Sequence, residues 1–154
     1  MQLKNTYSAR EVASMTGLSA RQLQWWDARR LFAPAVASKR TAAGGFTERR
    51  YTPVDLLELM VLADLRHQGL SVGRIRILLD TLRRKFGVRL FEAIGGAGTI
   101  TLLTDGREIF ARTAKGEFIN VLKAPDQPML VLGDRPHLKE LTARTKSARR
   151  KKKR

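Results

Sequence analysis

Cysteine is absent from the 154 residues, which excludes disulfides, thiolate metal sites, iron–sulfur clusters, cysteine nucleophiles and thiol-based sensing. Histidine is almost absent too. His67 and His137 are the only imidazoles, so no metal or other cofactor is expected, and His67 reads as a C-terminal helix cap. No stretch approaches the ~18 consecutive apolar residues of a membrane span, and residues 1–5 contain no apolar leader core. A soluble cytoplasmic protein with no membrane partner is the expectation. The length suits one ordinary domain, or one small domain with an appendage, and excludes two large cores.

Acidic residues are the remaining scarcity, with 14 Asp and Glu against 30 Lys and Arg, a net charge of +16. The imbalance is uneven along the chain: residues 1–52 carry +6, 53–90 carry +3, 91–143 carry −1 and 144–154 carry +8. Excess charge of this size favours a polyanion, because basic side chains that neutralise phosphates release condensed counterions. Anionic membrane fits less well, since the basic residues do not lie opposite an apolar stripe on one long helix.

Local patterns divide the chain into a helical front and a strand-rich back. Ser8-Ala9-Arg10-Glu11 is a capping box that opens a short helix, stopped at Thr16-Gly17-Leu18. Ser19-Ala20-Arg21-Gln22 is a second box, and Leu23, Trp26 and Leu31 are spaced to pack inward from the helix it starts. Two short helices joined by a Gly-centred turn make a helix-turn-helix. Residues 35–46 have neither helical nor strand period and read as a loop or wing tip. Thr52-Pro53-Val54-Asp55 opens a third helix, ended by Gly69, and Ser71 caps a fourth that runs to Phe86. Gly95 to Gly98 is a flexible joint. Asp105-Gly106 between β-prone runs predicts a two-residue hairpin in which Leu102 faces Ile109 and Ile100 faces Ala111. Further strands are expected at 117–122 and 129–132, a weak helix around 138–141, and a disordered basic tail after it.

Six blocks carry a family resemblance: Tyr7-Ser8-Ala9-Arg10-Glu11-Val12-Ala13, Thr16-Gly17-Leu18-Ser19, Leu23-Gln24-Trp25-Trp26-Asp27, Leu31-Phe32-Ala33-Pro34, Arg49-Arg50-Tyr51-Thr52 and Leu65-Arg66-His67-Gln68-Gly69-Leu70-Ser71. In this order and spacing they resemble the MerR family of bacterial regulators over residues 6–82. The resemblance implies a winged helix that puts its second helix into the major groove of double-stranded DNA. It also implies a wing set on the adjacent backbone or minor groove, and a homodimer on an inverted repeat. The family's usual Arg-Tyr-Tyr stands here as Gln24-Trp25-Trp26, which points to an unusual target sequence.

The residues permit this reading independently. Ser19 caps the second helix, while Ala20, Arg21, Gln24 and Trp25 fall away from the Leu23/Trp26 face and are free to meet DNA. Arg21 suits guanine and Gln24 adenine; the alternative for either is a solvated face. Trp26 reads as core. Lys39, Arg40, Arg49 and Arg50 are candidate phosphate contacts of the wing. Tyr51 either anchors the wing or reaches a phosphate through its hydroxyl. The carboxylates are scattered, no serine sits in a nucleophile elbow, and Gly95 to Gly98 lacks the setting of a phosphate loop, so no enzyme activity is expected.

The expected class is therefore α+β: a MerR-like winged helix-turn-helix over 1–86, a small antiparallel meander over 87–134 for dimerisation or partner binding, and a basic tail over 135–154. No heptad run follows Phe86, so the long dimerising coiled coil typical of the family is not expected. The leading function is a sequence-specific transcriptional regulator, for example a repressor, that binds an inverted-repeat operator. A MerR-type head with a short strand-rich tail also resembles certain antitoxins, whose tail blocks a nuclease toxin. A non-specific architectural protein is the third possibility.

Overall fold

The computed structural model describes residues 5–37, 39–45, 48–95, 98–129 and 138–143. Four helices and a five-stranded antiparallel sheet make it an α+β protein. The chain forms two compact units divided between Asp64 and Leu65, within the third helix.

In the first unit, β1 (Tyr7–Ser8) leads directly into α1 (Ala9–Thr16), and α2 (Ala20–Ala28) follows. Both helices start as their capping residues dictate. Ser8 Oγ accepts from Glu11 N while Glu11 Oε1 accepts from Ser8 N, and Ser19 and Gln22 repeat the exchange at 2.9 and 2.8 Å. Each pair thereby satisfies two amide donors that a helix start would otherwise leave unpaired. Gly17 turns the chain between the helices at φ +83°, a conformation that a side chain disfavours. Val12, Leu18, Leu23, Trp26 and Leu31 are buried between and beneath them.

Strand β2 (Arg50–Tyr51) pairs antiparallel with β1, Tyr7 opposite Tyr51 and Ser8 opposite Arg50, and a bridge joins Val36 to Arg50. Sequence period did not reveal these two-residue strands. The loop between Val36 and Arg50 closes in a tight turn: Thr41 N donates to Gly45 O at 2.7 Å, Gly44 N donates to Thr41 O, and Gly44 takes φ +90°. Helix α3 (Pro53–His67) begins with a third reciprocal cap, Thr52 with Asp55. Its residues Leu56, Leu59, Met60, Val61, Leu62, Ala63 and Leu65 are all buried.

The second unit holds α4 (Val72–Thr81), capped by Ser71 and continued by a π-helical turn, Leu82–Phe86. A 3-10 turn, Leu90–Ala93, follows. The sheet consists of β3 (Ile100–Thr104), β4 (Ile109–Thr113), β5 (Phe118–Asn120), β6 (Ala124–Met129) and β7 (Lys139–Glu140), in the spatial order β6-β5-β4-β3-β7.

Three local expectations are corrected here. The β3–β4 hairpin pairs Thr104 with Ile109 and Leu102 with Ala111, two residues out of the expected register. The cause is the Asp105 side chain, which accepts from both Arg107 N and Glu108 N, while Thr104 Oγ1 donates to Glu108 O. Those bonds make a four-residue loop of 105–108 instead of a two-residue turn. A shift of two keeps every side chain on its face, so Ile100, Leu102, Ile109 and Ala111 are still buried together. Second, the strand expected at 129–132 begins earlier, at Ala124, and residues 130–132 lie outside the described residues. It carries Pro125 and Pro128, as an edge strand can, because proline supplies no ladder donor. Third, residues 138–141 are not helical. Lys139 and Glu140 pair with Thr104 and Leu103, and Leu141 N donates to Leu102 O, so the segment assigned to the basic tail includes a strand. The rest of that tail, 144–154, lies outside the described residues, as do Gly96 and Ala97 of the expected joint.

One ionic cluster fastens this unit. Glu108 meets Lys123 Nζ at 2.8 Å, Asn120 Nδ2 at 3.1 Å and Arg74 of α4 at 3.6 Å. The Lys123 hydrogen bond is the main reason that the Glu108 carboxyl is held below its ordinary range, with Asn120 and the charges of Lys123 and Arg74 adding to it. Neither described edge of the sheet suits strand addition: one has two prolines, the other is a two-residue strand of opposite charges. Among the described residues, no helix is long and apolar enough to cross a membrane.

Candidate nucleic-acid interface

Helix α2 has two distinct sides. Leu23 and Trp26 are 2% exposed and hold the helix to the core, while Ala20, Arg21, Gln24 and Trp25 are exposed, Trp25 by 43%. The difference follows from spacing: residues three and four apart share a face, so anchoring 23 and 26 turns 21, 24 and 25 outward. Ser19, also exposed, spends its acceptor on the cap. The exposed side presents the Arg21 guanidinium, the Gln24 carboxamide and the Trp25 indole, a set able to meet base edges by hydrogen bonds and methyl groups by apolar contact.

The predicted wing cations separate into two groups. Lys39 and Arg40 are exposed on the 36–50 loop. Arg49 and Arg50 are half-buried, and their bonds run to Asp27, Thr6 and Glu48. Arg49 Nε donates to Asp27 Oδ2 at 2.9 Å, an ion pair that ties the end of the loop to the last turn of α2. Arg50 donates from Nε and Nη2 to Thr6 Oγ1 and from Nη1 to Glu48, which fixes β2 to the segment before β1. Tyr51 is fully buried, and its hydroxyl has no hydrogen-bond partner among the described residues. Burial pushes the phenol up to about 12; Arg49 pulls the other way, and Asp27 and Asp55 add to the rise. Of its two possible roles, anchoring is the one its burial supports.

Sequence reasoning missed Arg29. Its guanidinium lies over the Trp25 ring, 5.2 Å from the centroid, within the range of a cation–π contact. The signal was present as an i, i+4 spacing on α2. It also missed Asp27 as the partner of Arg49, which no local pattern announces across a separation of 22 positions. Among the described residues no three His, Asp or Glu gather as a metal site.

Comparison with known proteins gives the family. Residues 7–82 match the family described as MerR HTH family regulatory protein. An uncharacterized HTH-type transcriptional regulator of Mycobacterium tuberculosis, Rv1830, is 28% identical over 117 residues, covering 76% of this chain and 48% of the relative. The HTH-type transcriptional regulator TnrA of Bacillus subtilis is 32% identical over 82 residues, covering 53% of this chain and 66% of that protein. The chain thus spans about half the length of the mycobacterial relative. A crystal structure of a MerR-family transcriptional regulator from Bacillus cereus aligns at 30% identity over 46% of this chain and 48% of that one, with a TM-score of 0.37, too loose to transfer geometry. Residues 7–82 are a MerR-family helix-turn-helix domain, and through it the chain belongs to the MerR family.

Proposed function

We propose that the protein is a transcriptional regulator that binds double-stranded DNA sequence-specifically, as a homodimer on an inverted repeat. Helix α2 enters the major groove, where Arg21 and Gln24 read base edges and Trp25 lies against the bases. Lys39 and Arg40 of the wing contact backbone phosphates. The observation that carries this reading is the outward set Ala20, Arg21, Gln24 and Trp25 on a helix whose opposite side is locked by Leu23 and Trp26, in a front segment of net charge +6. Arg49, Arg50 and Tyr51 support the interface from behind: Arg49 pairs with Asp27 of α2, Arg50 donates to Thr6, and Tyr51 is buried. The functional division is a DNA-binding part over 1–86 and a sheet-bearing part behind it that pairs two copies.

Selection of bound fragments from a genomic DNA pool, with the mass of the selected complex measured alongside, tests the proposal. A palindromic consensus bound by two copies is expected. Fragments without a common sequence would refute specific recognition in favour of an architectural role. A palindrome bound by a complex containing a second, nuclease-like protein would replace the regulator by the antitoxin reading.

A further inference from the structure

Trp25 is an unusual side chain to leave in water. The chain has two tryptophans, adjacent in sequence, and the structure buries Trp26 while leaving Trp25 43% exposed. Large aromatics exposed on an otherwise polar helix face gain from contact with a partner. Trp25 has a charged neighbour on this face. Arg21, Trp25 and Arg29 follow one another at intervals of four, and the Arg29 guanidinium stacks over one face of the indole at 5.2 Å. Arg29 is the cap residue that follows α2, and its backbone N donates to Trp25 O at 2.9 Å. The contact covers one face of the indole with a cation, on the exposed side of α2 that also carries Arg21 and Gln24.

An indole on a base-reading face has one feature of the major groove to meet that needs no hydrogen bond, the 5-methyl group of thymine. We infer that Trp25 reads a thymine methyl and that Arg29 is the positioning residue that holds it in place for this contact. The inference rests on the major-groove placement of α2 proposed above. Arg29 then acts on sequence preference through Trp25, and its charge is not simply one more contact to the backbone. The two roles predict different behaviour. A phosphate contact contributes equally to all sequences and to the salt slope. A positioning residue contributes only where Trp25 touches its base.

Replacing each thymine of the selected site in turn by deoxyuridine, which lacks the methyl, distinguishes them. One such replacement is expected to weaken binding of the wild type about fourfold, the value of one methyl-sized group removed from water. It should have no effect on Trp25→Ala, and a much reduced effect on Arg29→Gln. In the free protein, quenching by iodide relative to acrylamide should fall in Arg29→Gln, because the cation that draws iodide to the exposed indole is gone. An unchanged quenching ratio would overturn the positioning role whatever the DNA result. Should no thymine-to-deoxyuridine change affect the wild type, or should it affect Trp25→Ala equally, the methyl contact is refuted while specific DNA binding stands. If no site is selected at all, both the inference and the function it rests on fall.

Discussion

Replacing Tyr51 by Phe removes one oxygen from the centre of the first unit, and the structure predicts that the protein gains stability. The ring is fully buried where β2 meets β1, and the hydroxyl has no partner among the described residues. A buried polar atom without a hydrogen bond costs about 1–3 kcal/mol of lost hydration. Tyr51→Phe breaks no bond and leaves the packing of the ring unchanged, so a gain of about 1 kcal/mol at pH 7 is expected, or a midpoint rise of roughly 2–4 °C. The pH dependence gives a second handle. Burial raises the phenol from its ordinary 10.0 to about 12, so the folded state favours the neutral form. This contribution is complete below pH 10 and is lost as pH rises through 10 to about 12. Over that window the wild type should lose about 2–3 kcal/mol that the Phe variant keeps, at ~1.4 kcal/mol per unit. Urea unfolding of both proteins at pH 7 and at intervals from 9 to 12 measures the difference, in which the titration of lysines common to both cancels. A variant less stable by more than about 1 kcal/mol at pH 7 would mean that the hydroxyl has a partner after all. A difference that stays flat to pH 12 would mean that the phenol ionises without leaving the core. DNA affinity should be unchanged in Tyr51→Phe, and a tenfold loss would restore the phosphate contact that the sequence left open.

Other perturbations test other parts of the account. The Asp27–Arg49 pair is partly shielded, so a double-mutant cycle with alanine at both positions should give a coupling of about 1 kcal/mol, and a coupling near zero would show that Arg49 is available to DNA. Glu108→Gln should flatten the acid limb of stability: the lowered carboxyl contributes above its ordinary pKa of 4.5, and this contribution is lost as pH falls through the folded value. An unchanged acid limb in urea unfolding would show that the cluster with Lys123, Asn120 and Arg74 is not formed in solution. Removing residues 144–154, eight of which are basic, should weaken binding to all DNA sequences alike and reduce the salt slope by about 0.9 for each phosphate no longer neutralised. A weakening confined to one sequence would contradict this.

What was legible in the sequence was mostly local. Ser8 with Glu11 and Ser19 with Gln22 announce their helix starts because both partners of a capping box lie within four residues. Leu23 and Trp26 reveal the buried side of α2 by spacing alone. Asp105-Gly106 announced a hairpin correctly but not its length, because the two amides taken by the Asp105 side chain are set by loop geometry rather than by composition. Leu138 and Leu141 stand at a helical interval, yet the segment joins the sheet. Its partners, Leu103 and Thr104, are more than thirty residues away, and their unpaired backbone offers bonds that no local propensity registers. The candidate site divides in the same way. Arg21, Gln24 and Trp25 are exposed as expected, since helix phase determines it. Arg49, Arg50 and Tyr51 have their surroundings fixed by Asp27, Thr6 and Tyr7, each distant in sequence, so an engaged cation and an exposed one look alike in the sequence.

The central claim is that the outward side of α2 reads DNA sequence, and the ratio of affinities for the selected site and a scrambled one measures it most directly. Wild-type protein is expected to prefer its site by ~10³-fold or more at physiological salt. Arg21→Ala and Gln24→Ala should each reduce that ratio, by roughly 1–3 kcal/mol per bidentate contact, with relaxed preference at one or two base positions and little change in binding to scrambled DNA. A wild-type ratio preserved in both variants would contradict the account and place recognition elsewhere on the chain.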